Sequence, residues 1–139
     1  MPKFAANISW LFQEWTFLDR FAAAADAGFS VVECLFPYDH DADAIAAALV
    51  QHNLAMALIN LPPGDLSAGE RGLAALPERR GEFRAALDTA IRYAVATGAK
   101  RLHAMAGIAN GSVALAAYRD SLALACDAAA VHGIAITIE

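Results

Sequence analysis

The chain has 139 residues, of which 58% are hydrophobic and 18% charged, and its formal net charge at pH 7 is −5. This length predicts one domain with a real core. The acidic balance argues against a nucleic-acid-binding surface, which needs a basic stripe. No apolar run reaches the ~18 residues of a membrane span. The N-terminus lacks a signal-peptide pattern and the two cysteines show no metal or disulfide spacing, so we expect a cytoplasmic protein.

The first half of the chain alternates predicted strands with helical patterns. Strands are predicted at residues 4–8, 30–35 and 54–61 because these runs are short, apolar and flanked by turn residues. The first helix starts near a capping box formed by Thr16 and Asp19 and ends at Gly28. The second helix is capped by Asp41 or Asp43 and ends near Asn53.

The second half begins with a long loop at residues 64–76, a length that is usually functional inside a compact domain. Pro77 fits the first turn of a third helix, whose predicted buried stripe is Phe83, Leu87, Ile91 and Ala94. A strand at 100–105 follows. Ser112 is the predicted cap of a fourth helix, which carries Leu115, Tyr118, Leu122 and Cys126 on one side. A last strand follows Gly133.

The resulting order, β-α-β-α-β-α-β-α-β, predicts a parallel sheet with right-handed crossovers. Two architectures satisfy it: an open doubly wound sheet, or part of a (β/α)₈ barrel. No Gly-x-Gly-x-x-Gly motif follows the first strand, which weakens the dinucleotide-binding alternative. A complete barrel needs about 250 residues, so this chain offers a little over half of one.

Polar residues at strand ends and in the long loop are the candidates for chemistry, because α/β folds place their sites at the C-terminal ends of parallel strands. Each candidate also has a structural interpretation, namely turn chemistry for the asparagines, an ion pair or solvated turn for the charged residues, and a satisfied core position for the histidine. Arg71 could hold a carboxylate in a bidentate fork. The candidates are Asn7, Glu33, Asn60, Glu70, Arg71, His103 and Glu139.

Several blocks of the sequence resemble the hydroxypyruvate isomerase family, which includes 2-oxo-tetronate isomerases and belongs to the xylose-isomerase-like TIM barrels. The resemblance covers the whole chain and lies in blocks that occur in the right order. These blocks are Phe4-Ala5-Ala6-Asn7-Ile8-Ser9, Val32-Glu33-Cys34-Leu35-Phe36-Pro37-Tyr38-Asp39, Asn60-Leu61-Pro62-Pro63-Gly64-Asp65, Ala68-Gly69-Glu70-Arg71-Gly72, Phe83-Arg84, Ala90-Ile91-Arg92-Tyr93-Ala94 and Thr137-Ile138-Glu139.

The resemblance implies an aldose–ketose isomerase that interconverts hydroxypyruvate and tartronate semialdehyde, or a related 2-oxo-tetronate, through an enediolate. In the family, two glutamates shuttle the proton and hold a divalent metal, Mg²⁺ or Mn²⁺. Glu139 matches the first glutamate, so it is the expected base and metal ligand. The expected substrate contacts are Asn7, Glu33, Asn60, Glu70, Arg71 and His103.

The sequence departs from the family because the second glutamate and the other metal ligands lie on later strands. We therefore expect a partial (β/α)₈ TIM barrel, roughly (βα)₄β₅, with residues 1–139 as the N-terminal portion of a single barrel domain that is inactive alone. A small hydroxy or keto acid is the expected partner, and a homo-oligomer is compatible with the exposed edges of a half-barrel. Two alternatives remain, a non-catalytic half-barrel assembly module and an endonuclease-IV-like nucleic-acid enzyme.

Overall fold

A computed structural model describes residues 4–138, and these residues form a single five-stranded parallel sheet with four α-helices. The strands are β1 (Ala6–Asn7), β2 (Val31–Cys34), β3 (Ala55–Asn60), β4 (Arg101–His103) and β5 (Ala135–Thr137). The helices are α1 (Asp19–Asp26), α2 (Ala42–Gln51), α3 (Arg80–Thr97), preceded by a 3₁₀ turn at Pro77–Arg79, and α4 (Gly111–Ala130). Every predicted element is present, and most strands are shorter than predicted.

The strand order decides between the two predicted architectures. Neighbouring strands pair in chain order, β1-β2-β3-β4-β5, and all pairs are parallel. Consecutive helices contact one another in the same order, α1 with α2, α2 with α3, and α3 with α4. Right-handed crossovers that always advance in one direction place all helices on one side of the sheet, whereas a doubly wound sheet reverses its order. The fold is therefore a partial (β/α)₈ barrel, as predicted.

The core lies between the sheet and its helices. Ile59 and Leu102 from the sheet, and Phe21, Ile45 and Leu87 from the helices, are almost completely buried. Their burial follows the predicted helical stripes, since Phe83, Leu87, Ile91 and Ala94 all lie within the buried face of α3. No helix in the described part of the chain is both long enough and apolar enough to cross a membrane.

The ends of the first three helices agree only in part with the sequence. Asp41 caps α2, because its Oδ1 accepts hydrogen bonds from the backbone N–H groups of Asp43 (2.9 Å) and Ala44 (3.0 Å). Gly98 ends α3 in the left-handed conformation, with φ of 74°. The prediction of a capping box at Thr16 and Asp19 was wrong. The helix α1 starts at Asp19, and the Thr16 hydroxyl donates to the Asp19 carboxylate at 2.6 Å instead of capping the backbone.

The predicted cap of α4 was wrong, and its predicted face was right only in part. Ser112 lies inside the first turn, and the N-cap position is Asn110, which makes no side-chain capping bond. Leu115 and Cys126 are exposed. The buried positions are the small residues Ala114, Ser121, Ala125 and Ala129, which let the helix axis approach its neighbours closely. Tyr118 and Leu122 are partly buried and pack against the core, so two of the four residues of the expected stripe lie on the inner side of α4.

Candidate functional site

A cleft of about 500 Å³ opens at the C-terminal ends of the strands. Its lining residues either follow a strand end or belong to the loop between β3 and α3, which is where barrels of this class carry their sites. Arg71 is the only charged residue among the described lining residues. They are Ser9, Trp10, Leu35, Phe36, Asn60, Leu66, Arg71 and Met105.

Asn60 ends β3 and is 6% exposed. Its backbone is held on two sides, since its N–H donates to the Leu35 carbonyl at 2.9 Å and its carbonyl accepts a hydrogen bond from the Tyr38 hydroxyl. Its Nδ2 points to the Met105 sulfur at 3.8 Å, whereas its buried Oδ1 has no hydrogen-bond partner among residues 4–138. Asn60 thus lines the cleft with its backbone held in place, and its side-chain oxygen is a buried acceptor without a donor among the described residues.

Arg71 reaches the cleft from the long loop. Its Nη1 donates to the Glu70 carbonyl at 2.7 Å and lies 3.4 Å from the Leu66 carbonyl. Neither Nε nor Nη2 has a partner within the described residues, so the guanidinium keeps donors for a ligand. A planar fork of this kind suits a carboxylate.

Two glycines hold this loop against the sheet. Gly72 forms an isolated antiparallel bridge with Ala106, and a Cβ atom on Gly72 would overlap the Met105 backbone. Gly107 packs equally closely on the Gly72 carbonyl. Gly72 and Gly107 are therefore required by close backbone contact, which fixes the chain directly after Arg71.

Glu70 lies outside the described lining of the cleft. Its carboxylate bonds the Arg79 guanidinium and accepts a hydrogen bond from the Asp65 N–H at 2.5 Å. The Asp65 N–H and then Arg79 hold the pKa of Glu70 below its ordinary value. Since Arg79 also pairs with Glu82, this network fastens the loop to the start of α3.

Asn7 and Glu33 are neighbours in the β1–β2 register, and the Asn7 Nδ2 donates to the Glu33 Oε1 at 3.1 Å. The Asn7 Oδ1 accepts from the Ser9 N–H at 3.1 Å, so its amide is used within the protein. Both residues are half-buried and belong to the same end of the sheet as the cleft, although neither is among the described lining residues.

His103 ends β4, is 7% exposed and pairs in register with Asn60 on one side and Thr137 on the other. No side-chain hydrogen bond within residues 4–138 involves its imidazole. Glu139, the predicted base and metal ligand, lies outside the described residues.

Most of the lining was not predicted, since only Asn60 and Arg71 of the lining residues were candidates, and Tyr38 and Met105 both contact Asn60. Tyr38 is half-buried, and this partial burial raises the pKa of its hydroxyl, which stays protonated and donates to the Asn60 carbonyl. Met105 follows β4 by two residues, so its position after a strand end was the signal available in the sequence. Tyr38 had no comparable signal, because 22 residues separate it from Asn60.

The described residues do not by themselves fit a metal centre. Within residues 4–138, no three His, Cys, Asp or Glu side chains come together as ligands. Burial, and then the Glu33 carboxylate, raise the pKa of the Cys34 thiol to about 12, which makes it a poor ligand or nucleophile near neutral pH.

Residues 21–139 match the sequence model of the family described as "Xylose isomerase-like TIM barrel". The chain belongs to this family. The 2-oxo-tetronate isomerase of Cupriavidus necator is 49% identical to it, over 100% of this chain and 55% of that protein. The hydroxypyruvate isomerase of Escherichia coli is 48% identical over 77% of this chain and 42% of that protein.

A solved member of the family, named "AP endonuclease, family 2 from Brucella melitensis", superimposes with a TM-score of 0.96 and 50% identity, covering 99% of this chain and 55% of that one. The chain thus spans about half the length of the relatives that it matches. The predicted family and fold are both confirmed.

Proposed function

We propose that this chain forms the substrate-binding portion of an isomerase acting on small 2-oxo acids, either 2-oxo-tetronates or hydroxypyruvate. The observation that carries the proposal is the 49% identity, over the whole chain, to a 2-oxo-tetronate isomerase. The cleft supports it, since Arg71 offers a carboxylate partner and Asn60 a polar contact at a strand end.

The proposed reaction moves a hydrogen between two neighbouring carbons of the substrate. A base removes the proton from the hydroxyl-bearing carbon beside the carbonyl, and the electron pair of that C–H bond forms the enediolate. The proton of the substrate hydroxyl passes to the former carbonyl oxygen, and the base delivers its proton to the former carbonyl carbon, so the hydroxyl-bearing carbon becomes the new carbonyl. In this proposal Glu139 is the base and Arg71 holds the carboxylate. Asn60, His103 and the bonded pair of Asn7 and Glu33 supply the polar surroundings of the substrate.

The metal remains a separate prediction. Mg²⁺ or Mn²⁺ prefers oxygen ligands, and Glu139 is the ligand that the family resemblance implies. Because the described residues hold no ligand cluster, the remaining ligands would have to come from elsewhere. Titration of Mn²⁺ into the chain, followed by electron paramagnetic resonance, tests this prediction. Loss of Mn²⁺ binding in Glu139→Gln would support the prediction, and unchanged Mn²⁺ binding in this variant would contradict it.

The test of the proposed function is direct binding of hydroxypyruvate by ligand-observed NMR. Arg71→Gln should weaken binding by roughly tenfold or more, because it removes a charge-assisted contact to the carboxylate. Arg84→Gln is the matched control, since Arg84 is an exposed arginine on α3 that is absent from the cleft lining. Equal binding by wild type and Arg71→Gln would remove Arg71 from the site, and no binding by the wild type would refute the proposal.

A second candidate is action on nucleic acid, which the name of the Brucella melitensis structure favours. The net charge of −5 counts against it, because phosphate contacts require clustered cations. Fluorescence anisotropy with an abasic-site duplex at low and moderate salt separates the two candidates. We expect no salt-dependent binding, and affinity that falls steeply with salt would favour the nucleic-acid candidate.

A further inference from the structure

Trp10 is the largest side chain in the described lining of the cleft, and 68% of its surface is exposed. Leu66, from the loop between β3 and α3, lines the same cleft and is 43% exposed. Two large apolar side chains from separate loops therefore share the cleft with the Arg71 guanidinium. Exposed apolar groups that gather at a cleft mark a surface that a ligand covers. The polar contacts of the proposed substrate leave both side chains without a role.

The backbone around Trp10 is held in place by its own loop. The N–H groups of Trp10 and Leu11 donate to the Asn7 carbonyl at 3.1 and 2.9 Å, and the Trp10 carbonyl accepts a hydrogen bond from the Gln13 side chain at 3.3 Å. Phe12 has a left-handed backbone, with φ of 62°, which is costly for a residue other than glycine. Its side chain packs against the core. The chain thus turns inward at Phe12, and this turn leaves Trp10 on the cleft.

We propose that the indole ring of Trp10 covers the bound acid and excludes water from the contact between its carboxylate and Arg71. This role rests on the proposed function and adds a ligand contact to it. The attraction between a carboxylate and a guanidinium strengthens when water is removed from around them. Leu66 extends the apolar cover from the other loop. Because salt screens exposed charges more than covered ones, the cover also makes binding less sensitive to salt.

The chain contains a matched control, because Trp15 in the same loop is 53% exposed and is absent from the described cleft lining. Ligand-observed NMR with hydroxypyruvate should show that Trp10→Ala weakens binding roughly five- to tenfold, whereas Trp15→Ala leaves it within about twofold. Trp10→Phe keeps an aromatic cover and should bind within about threefold of the wild type. Between about 0.05 and 0.5 M NaCl, the affinity of Trp10→Ala should fall more steeply than that of the wild type. A purely structural role of Trp10 would not change this salt dependence.

Tryptophan fluorescence tests the contact itself, since Trp10 and Trp15 are the only two tryptophans of the chain. In Trp15→Phe, added hydroxypyruvate should change the emission of Trp10 with the same saturation curve that NMR gives. In Trp10→Phe, the remaining Trp15 should show only the linear quenching that free ligand causes. Thermal melting checks that each variant is folded.

Unchanged affinity and salt dependence in a folded Trp10→Ala variant would overturn the role of Trp10 and leave the proposed function standing. A saturable change at Trp15, with none at Trp10, would overturn it as well. If the wild type does not bind hydroxypyruvate, the proposed function fails and the role of Trp10 fails with it.

Discussion

Gly72 shows how a single residue positions the cleft. It has φ of 120°, and the space that a side chain would need is filled by the backbone of Met105. Gly69, three residues earlier, also has a positive φ, 86°, but nothing lies within 4 Å of the position of its missing Cβ. Substitutions at these two positions therefore distinguish the cost of a positive φ alone, at Gly69, from the added cost of steric overlap, at Gly72.

We expect Gly72→Ala to destabilise the chain more than Gly69→Ala. Both substitutions place a side chain on a left-handed residue, which costs about 1–3 kcal/mol, and Gly72→Ala adds the overlap with Met105. Urea denaturation measures the difference in the free energy of unfolding, and hydrogen exchange at Ala74 and Ala75 reports whether the loop has left the sheet. Equal costs for the two substitutions would show that the close contact is unimportant.

The two cysteines should differ in reactivity. Cys34 is buried and the pKa of its thiol is raised to about 12 by burial and then by Glu33, so below that pH the thiol stays protonated. Cys126 is exposed on α4. At pH 8 a thiol reagent such as DTNB should label only Cys126 in the native chain and both cysteines in urea. Rapid labelling of Cys34 without denaturant would contradict the packing around β2.

At the scale of the element, the start of α2 depends on one carboxylate. Asp41 accepts two backbone hydrogen bonds, whereas Asp43 lies inside the first turn. Asp41→Ala should lower the free energy of unfolding by about 0.5–2 kcal/mol. Asp43→Ala, the matched control, should cost only a few tenths of a kcal/mol through the helix dipole. Thermal melting of both variants measures this, and a larger cost for Asp43→Ala would move the cap to that residue.

The loop between β3 and α3 should loosen in acid. The pKa of Glu70 is depressed by the Asp65 N–H and by Arg79, so its contribution is fully present above the ordinary glutamate value of 4.5 and is lost as the pH falls through the lower folded value. The Asp65 and Glu82 carboxylates also have depressed pKa values and reinforce the trend. The amide resonance of Asp65, which donates to Glu70, should therefore shift with a midpoint below pH 4.5.

Glu70→Gln should remove the contribution of Glu70 to this transition, because the variant has no charge to lose at that position, and should leave only the titration of the Asp65 carboxyl itself. Asp65→Asn is the control, since it removes the other titrating group of the turn and leaves the bond between the Asp65 N–H and Glu70. Its transition should persist. A midpoint at or above pH 4.5 in the wild type would mean that the loop is not held by the Glu70 carboxylate.

The order of the elements was predictable from the sequence because each strand is a short apolar run and each helix has its own end signals. Gly98 and Asp41 are examples in which one residue type fixes a boundary. The face of α4 was only partly predictable by the same rule, since Tyr118 and Leu122 pack against the core whereas Leu115 and Cys126 are exposed. Its alanines are apolar on several sides, so periodicity does not tell which side packs, and the sheet selected the small residues Ala114, Ser121, Ala125 and Ala129.

The candidate site was predictable where it depends on strand ends and not where it depends on long-range contacts. Asn60 and Arg71 line the cleft, as their positions suggested. The bond between the Tyr38 hydroxyl and Asn60 joins two elements that the sequence does not relate. The ion pair between Glu70 and Arg79 forms because the loop returns toward the start of α3, and a pattern of residue types does not predict that path.

For the whole molecule, the main feature is a sheet whose order is sequential and whose described edges are β1 and β5. A strand edge presents unpaired backbone groups that favour pairing with further chain or with another molecule. Relatives of this chain are nearly twice as long as the part that it matches. The described sheet edges bear on how the chain assembles, and the greater length of its relatives bears on whether the chain is active alone.

We expect the purified 139-residue chain to show no isomerase turnover with hydroxypyruvate. The reason is that no three His, Cys, Asp or Glu side chains come together as possible metal ligands within residues 4–138. A coupled assay for tartronate semialdehyde measures this, and turnover without an added partner would refute the expectation.

Light scattering tests the alternative of an assembly module, since a clean monomer speaks against it and a defined oligomer would support it.

The bridge between Gly72 and Ala106 has a mechanical consequence. The loop that carries Arg71 is joined to the segment that leads into α4, through this bridge and through the bond of 2.7 Å from the Ala75 N–H to the Ala106 carbonyl. The loop cannot swing away like a free flap, because doing so would drag the neighbouring segment with it or break both bonds. A movement of the loop would therefore also involve Ala106, which lies five residues before the start of α4 at Gly111.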